Sequence, residues 1–144
     1  MSRPDWQDYY LAIAQAVARR ASCPRLAVGA VLVKDNAIIA TGYNGAPAGF
    51  PECESVGCEM ENGHCVRVLH AERNVLLHAA RHAGGVQGST LYLTHEPCHE
   101  CAKHIIQAGV KRVVFHGAYR SDPRVANAFA FAKVQLTRSG LKGA

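Results

Sequence analysis

His70-Ala71-Glu72 and, farther along, Pro97-Cys98-His99-Glu100-Cys101 are the stretches of this chain whose residue types and spacing can do chemistry. Two thiolates and an imidazole, from Cys98, Cys101 and His70, give a zinc ion three protein ligands. The fourth tetrahedral position stays open to water, which distinguishes a catalytic zinc from a closed structural one. Glu72 stands two residues from a ligand, placed to take a proton from that water and carry it to a leaving group, while the metal brings the water's pKa toward neutrality. Taken singly, Cys-x-x-Cys also fits a redox pair or half of a zinc finger, and His-x-Glu occurs by chance in many helices. Together they describe a catalytic metal site.

Local structure must bring the two stretches together. Residues 88–94 read as a strand, Glu96-Pro97 ends it, and Cys98 opens a helix running to about Ala108. A helix N-terminus favours thiolates, because its unpaired N–H groups and positive dipole end lower a cysteine's pKa. His70 falls at the start of a second helix, Ala71 to about His82, with Leu76, Leu77, Ala79 and Ala80 expected to pack inward. Two helix starts facing each other would build the site.

Around them the order reads helix, strand, strand, helix, strand, helix, strand, helix, strand. Apolar residues at helical spacing mark a first helix over residues 5–20, stopped by Cys23-Pro24. Strands follow over 28–33 and 37–41, joined by Lys34-Asp35-Asn36 as a hairpin, and residues 44–49 form a loop of small residues, of the kind that lets backbone approach a ligand or else simply connects two elements. Later come a buried-type strand over 112–116, a helix over 124–132 and a weak last strand over 134–137. Alternation after an opening hairpin implies a single α/β layered domain, residues 1–144, around one mixed sheet.

With 49% hydrophobic and 19% charged residues in 144, the chain has enough apolar material for one core and too little charge for disorder. No apolar run reaches the ~20 residues of a membrane span and no signal-peptide core opens the chain, so a cytoplasmic protein with reduced thiols is expected. The net charge of +5 permits an anionic partner, yet the basic residues are scattered, without the basic stripe and aromatics of a nucleic-acid surface. Neither a nucleic-acid nor a membrane partner is expected.

His-x-Glu followed by Pro-Cys-x-x-Cys is the signature of zinc nucleobase deaminases. The chain resembles deoxycytidylate deaminases of the cytidine deaminase superfamily, of the bacterial competence-operon and phage type. The resemblance rests also on Cys23-Pro24-Arg25, Val28-Gly29-Ala30, Gly42-Tyr43-Asn44-Gly45, His64-Cys65-Val66-Arg67, His70 to Asn74, Cys101-Ala102-Lys103 and Gln107 to Val110. It implies a three-layer α/β/α fold with a five-stranded mixed sheet, hydrolysis of dCMP to dUMP and ammonia for thymidylate synthesis, and homo-oligomers, commonly hexamers. It further implies activation by dCTP, with Mg²⁺, and inhibition by dTTP.

Within that reading Glu72 is the proton carrier, and the Ala71 N–H reads the base edge. Val28, Gly29 and Ala30 form the pocket floor. Asn44 offers an amide to base or sugar, or else stabilises a turn. Tyr119 covers the base or simply packs. Arg25 is the candidate for the 5′-phosphate, which a guanidinium binds bidentately. Cys23, Cys53, Cys58, His64 and Cys65 offer five candidates for the four positions of a second, structural zinc, against the alternative of small apolar thiols packed in the fold. Two departures from the resemblance stand out: Lys133 where relatives place a helix-capping glycine, and a short tail after Leu141. The competing readings are a deaminase of free (deoxy)cytidine or of transfer-RNA adenosine, and a non-catalytic zinc module that has no use for Glu72.

Overall fold

The computed structural model describes residues 2–117 and 122–140. The first helix, α1 (Trp6–Ala18), begins where the Asp5 carboxylate accepts the Asp8 N–H at 2.7 Å. It buries Tyr10, Leu11, Ala14 and Ala18 and ends two residues short of the expected Arg20. Strands β1 (Gly29–Lys34) and β2 (Ala37–Tyr43) form the anticipated hairpin. Asp35 and Asn36 turn it with φ of 53° and 57°, the left-handed pair that a two-residue turn between twisted strands requires.

After β2 the chain makes an excursion that the sequence left unassigned: a one-turn helix α2 (Cys53–Val56) and a hairpin of two-residue strands, β3 (Met60–Glu61) and β4 (His64–Cys65). The remaining elements are α3 (Ala71–His82), β5 (Thr90–Leu93), α4 (His99–Ala108), β6 (Arg112–His116), α5 (Pro123–Phe131) and β7 (Gln135–Ser139). The order across the five-stranded sheet is β2-β1-β5-β6-β7, with β1 antiparallel to both neighbours and β5, β6 and β7 parallel. The expected three-layer mixed α/β arrangement is therefore present.

One sheet face packs with α3, α4 and α5 around Leu32, Val75, Leu91, Leu93, Ile105 and Phe129, and α1 covers the other through Leu11, Ala14, Val31 and Val114. Central strands covered on both faces read as near-continuous apolar runs, as β1 and β6 do. Two expectations for α3 fail. Leu77 and Ala80 are exposed, because α3 meets the sheet along Ala71, Val75 and Ala79, a stripe at four-residue spacing that leaves positions 77 and 80 on the outer side. At the end of α5, Lys133 adopts φ 59° while its N–H reaches Ala130 O and the Val134 N–H reaches Phe129 O. The glycine-type cap thus forms with lysine in the left-handed position. No helix among the described residues is long and apolar enough to cross a membrane.

Candidate active site

The two helix starts do face each other. His70 is the N-cap of α3 and Cys98 the N-cap of α4, both with extended backbone, while Glu72 and Cys101 occupy the first turns. Position follows from the segments just before: Gly45 pairs with Leu69, the residue that leads into His70, and Pro97 stops the backbone after β5 so that Cys98 caps α4. His70 Nδ1 lies 3.7 Å from Cys98 Sγ and 3.3 Å from Cys101 Sγ, and the three ligand atoms are within 4.8 Å of one another.

Zinc fits this set. Tetrahedral bonds of about 2.0–2.1 Å to nitrogen and 2.3 Å to sulfur place those atoms roughly 3.5 Å apart, between the two observed separations. The group contains three donors among the described residues, which is the open arrangement. Cys101 is buried, His70 half-buried and Cys98 exposed, so the cluster opens on the Cys98 side.

The charges at the site also ask for a cation. A hydrogen bond from the Cys101 thiol brings Cys98 down to about 3 against its burial, with help from His70 and the Cys101 N–H. The neighbouring Cys98 sulfur, together with burial, drives Cys101 upward, so a second thiolate beside the first is disfavoured unless a cation lies between them. Burial raises the Glu72 carboxyl above its usual range, opposed by its own N–H and by the charge of His70. Glu72 is 6% exposed, beside the Cys101 thiol, where a raised carboxyl suits a proton carrier working near neutrality.

The other anticipated residues fall as follows. Asn44 is buried and both its amide atoms are engaged: Nδ2 donates to Leu26 O at 2.6 Å and Oδ1 accepts the Val28 N–H at 2.8 Å. Its loop-stabilising role is therefore realised, and the amide keeps one further donor and one lone pair. Gly29 starts β1, and a Cβ there would lie 1.9 Å from Ala14 O, so its small size serves the approach of α1. Ala30 and Ala71 are fully buried in the same cluster, with Val28 packed at its edge. Arg25 is exposed and donates to Gly63 O at 3.2 Å, tying it to the β3–β4 turn. Tyr119 lies outside the described residues.

Of the five second-metal candidates, the sulfurs of Cys53, Cys58 and Cys65 gather within 4.8 Å, and Cys23 is near enough to Cys58 to help raise its pKa, after burial and the Cys65 thiol. Burial, then the Cys65 and Cys58 thiols, push Cys53 up to about 12. Burial opposes ionisation of Cys65, yet the N–H groups of Arg67 and Glu59 and the Cys53 thiol bring it down to about 7. His64 is exposed opposite Glu61 and outside this group.

Sequence reasoning missed Asn74 and Thr94. The Asn74 amide donates to Tyr43 O at 2.8 Å and reaches Leu69 O at 3.4 Å, binding the end of β2 to the residue before His70. An asparagine inside a helix is a poor helix former that must find partners, and that was the available signal.

Residues 4–117 match the family model for the cytidine and deoxycytidylate deaminase zinc-binding region. ComE operon protein 2 of Bacillus subtilis is 42% identical over 94% of this chain and 72% of its own length. The deoxycytidylate deaminase of Mycobacterium phage D29 is 44% identical over 80% of this chain and 97% of its own. Among solved structures, the dCMP deaminase of cyanophage S-TIM5 in complex with dCMP and dUMP superposes with a TM-score of 0.83 at 35% identity, covering 96% of this chain and all of that one. With its donor set, buried carboxylate and fold in agreement with these matches, the chain belongs to the cytidine and deoxycytidylate deaminase family.

Proposed function

We propose that this protein hydrolyses dCMP to dUMP and ammonia. The observation that carries the reading is the open three-donor group with buried Glu72 beside it, in a chain that superposes end to end on an enzyme crystallised with dCMP and dUMP. Zinc held by His70, Cys98 and Cys101 supplies the Lewis acid that makes water nucleophilic near neutral pH. Glu72 takes a proton from the attacking water, gives it to ring N3 as water adds to C4, and hands the second proton to the departing amino group. Burial strengthens its ionised form as a base and excludes competing water. The Ala71 N–H at the start of α3 is a donor for the base edge, and Asn44 both fixes the 26–28 loop and offers its remaining amide hydrogen to the sugar. Val28, Gly29 and Ala30 floor the pocket, and Arg25 leaves the Gly63 carbonyl to take the phosphate.

Four thiols, Cys23, Cys53, Cys58 and Cys65, are read as a closed structural zinc site that folds the excursion between β2 and α3, with His64 the spare candidate. The enzyme works as a homo-oligomer, a hexamer by resemblance, in the cytoplasm where free thiols stay reduced. dCTP activates it and dTTP inhibits it.

The test is ammonia release from zinc-loaded protein offered dCMP, deoxycytidine, dCTP and a transfer-RNA anticodon stem in parallel, with and without dCTP, dTTP and Mg²⁺. Turnover of dCMP above the others is expected. Turnover confined to nucleoside or RNA overturns the substrate, and none at all with full zinc leaves the non-catalytic module.

A further inference from the structure

We infer that Thr94 is a positioning residue, whose single hydroxyl joins the pocket floor to the zinc-binding loop and fixes the tautomer of His95. The inference rests on the deaminase reading of the site, since it concerns how that site is held. Thr94 follows the last residue of β5, is 7% exposed, and lies four positions before Cys98. Its Oγ1 accepts the Gly29 N–H at 3.1 Å, and its N–H donates to Gly29 O at 3.1 Å, so the start of β1 is pinned by both backbone and side chain. The same Oγ1 is 2.7 Å from His95 Nδ1.

A hydroxyl has one proton to give. Because Oγ1 already accepts from Gly29, and His95 Nδ1 is its other partner among the described residues, the hydroxyl proton goes to Nδ1. The opposite arrangement, with Nδ1–H donating, would leave the buried Thr94 hydroxyl proton without an acceptor among the described residues, which is costly. His95 is therefore the neutral Nε2–H tautomer. The surroundings agree: β5 and β6 run in parallel register, Leu93 beside Phe115, which continues to Thr94 and His116, and burial, then His116, disfavours the charged form of His95. The chain of contacts runs from Asn44 to Val28, through Gly29 to Thr94 and His95, and by the backbone to Pro97 and Cys98. Thr94 thus sets the distance between the floor on β1 and the ligand at the start of α4.

The experiment combines two readouts. Long-range ¹H–¹⁵N correlation on histidine-labelled, zinc-loaded wild type reads the His95 tautomer without reference to turnover. Thr94→Val and Thr94→Ser are then compared with wild type for kcat/KM on dCMP and for zinc content. The inference expects an Nε2–H tautomer in wild type, a loss of it in Thr94→Val with kcat/KM down about 10- to 100-fold at full zinc, and recovery to within about threefold in Thr94→Ser. A wild-type Nδ1–H tautomer overturns it, as does Thr94→Val with unchanged kcat/KM. If Thr94→Val fails to fold, the wild-type tautomer and the Thr94→Ser comparison decide. Failure of wild type itself to turn over dCMP condemns the substrate assignment and leaves the tautomer to decide the role of Thr94.

Discussion

Gly42 is where a single methyl group should test the link between packing and catalysis. It lies in β2 opposite Ala30, and a Cβ there would sit 2.5 Å from Val75 N, 2.9 Å from Ala71 O and 2.9 Å from Val75 Cα. All three atoms are α3 backbone, so no side chain can swing away. Since ordinary contact begins at 3.4 Å, Gly42→Ala obliges α3 to retreat by about 0.9 Å, an overpacking that costs about 1–3 kcal/mol. In a domain of this size the midpoint of thermal unfolding should fall by roughly 3–10 °C. The same retreat acts at Ala71, between His70 and Glu72, and displaces the donor and the proton carrier together. A misplacement near 1 Å costs about 100-fold in rate, so kcat should fall by about that factor in protein that remains folded at the assay temperature. Zinc content, thermal unfolding and ammonia release from dCMP, measured on one preparation at 15 °C, separate the effects. Wild-type kcat with full zinc would refute the reasoning, because α3 would then have moved without the site noticing.

Glu72→Gln should keep zinc and fold while kcat drops about 10²- to 10⁴-fold, read as ammonia release. Burial raises the folded-state pKa of Glu72, so in metal-free protein its ionisation costs stability increasingly as pH rises above the usual carboxylate range. Metal-free Glu72→Gln should therefore melt higher than metal-free wild type at pH 7.5, with the gap closing toward pH 4.5; an equal gap at both pH values would exclude burial as the cause. Cys58→Ser should lower bound zinc from two per chain toward one, whereas His64→Ala should leave two, by elemental analysis. Lys133→Gly should stabilise the protein by about 1 kcal/mol, because the left-handed backbone there is free of Cβ strain only for glycine; an unchanged melting temperature would show that strain to be absent.

The metal helices were legible because their signals are local. Periodic apolar residues run from Ala71 to His82, and a proline and a cysteine pair mark the start of α4, so those bounds emerged within a residue. Which leucines of α3 point inward was not legible, since the helix packs along a stripe set by where β2 and β1 lie beneath it. The excursion between β2 and α3 was invisible for a different reason. Two-residue strands and a one-turn helix have no periodicity to read, and what they bring together is a group of thiols, Cys53, Cys58 and Cys65. Asn44 was recognised as a polar residue in a sensitive loop, but its partners Leu26 and Val28 are tertiary and left two roles open.

The two helix starts explain why the proposed catalytic residues lie where they do. An N-cap is usually Ser, Thr, Asp or Asn, whose side chain satisfies one of the first free N–H groups. His70 makes no side-chain cap bond, and Cys98 makes only a 3.4 Å contact to the Cys101 N–H. α3 thus forgoes about 1 kcal/mol of capping, α4 is capped by a thiol, and the proposed ligands themselves occupy both cap positions. The positive end of α4 faces the two sulfurs and favours their thiolate forms, and the first N–H groups of α3, that of Ala71 among them, have no partner within the helix. Capping α3 with a better residue would strengthen the helix at the expense of a ligand. The missing cap at residue 70 is therefore the structural counterpart of the proposed chemistry, and the polar clamps of Asn44, Asn74 and Thr94 tie together the loops and strand ends beside the two helix starts.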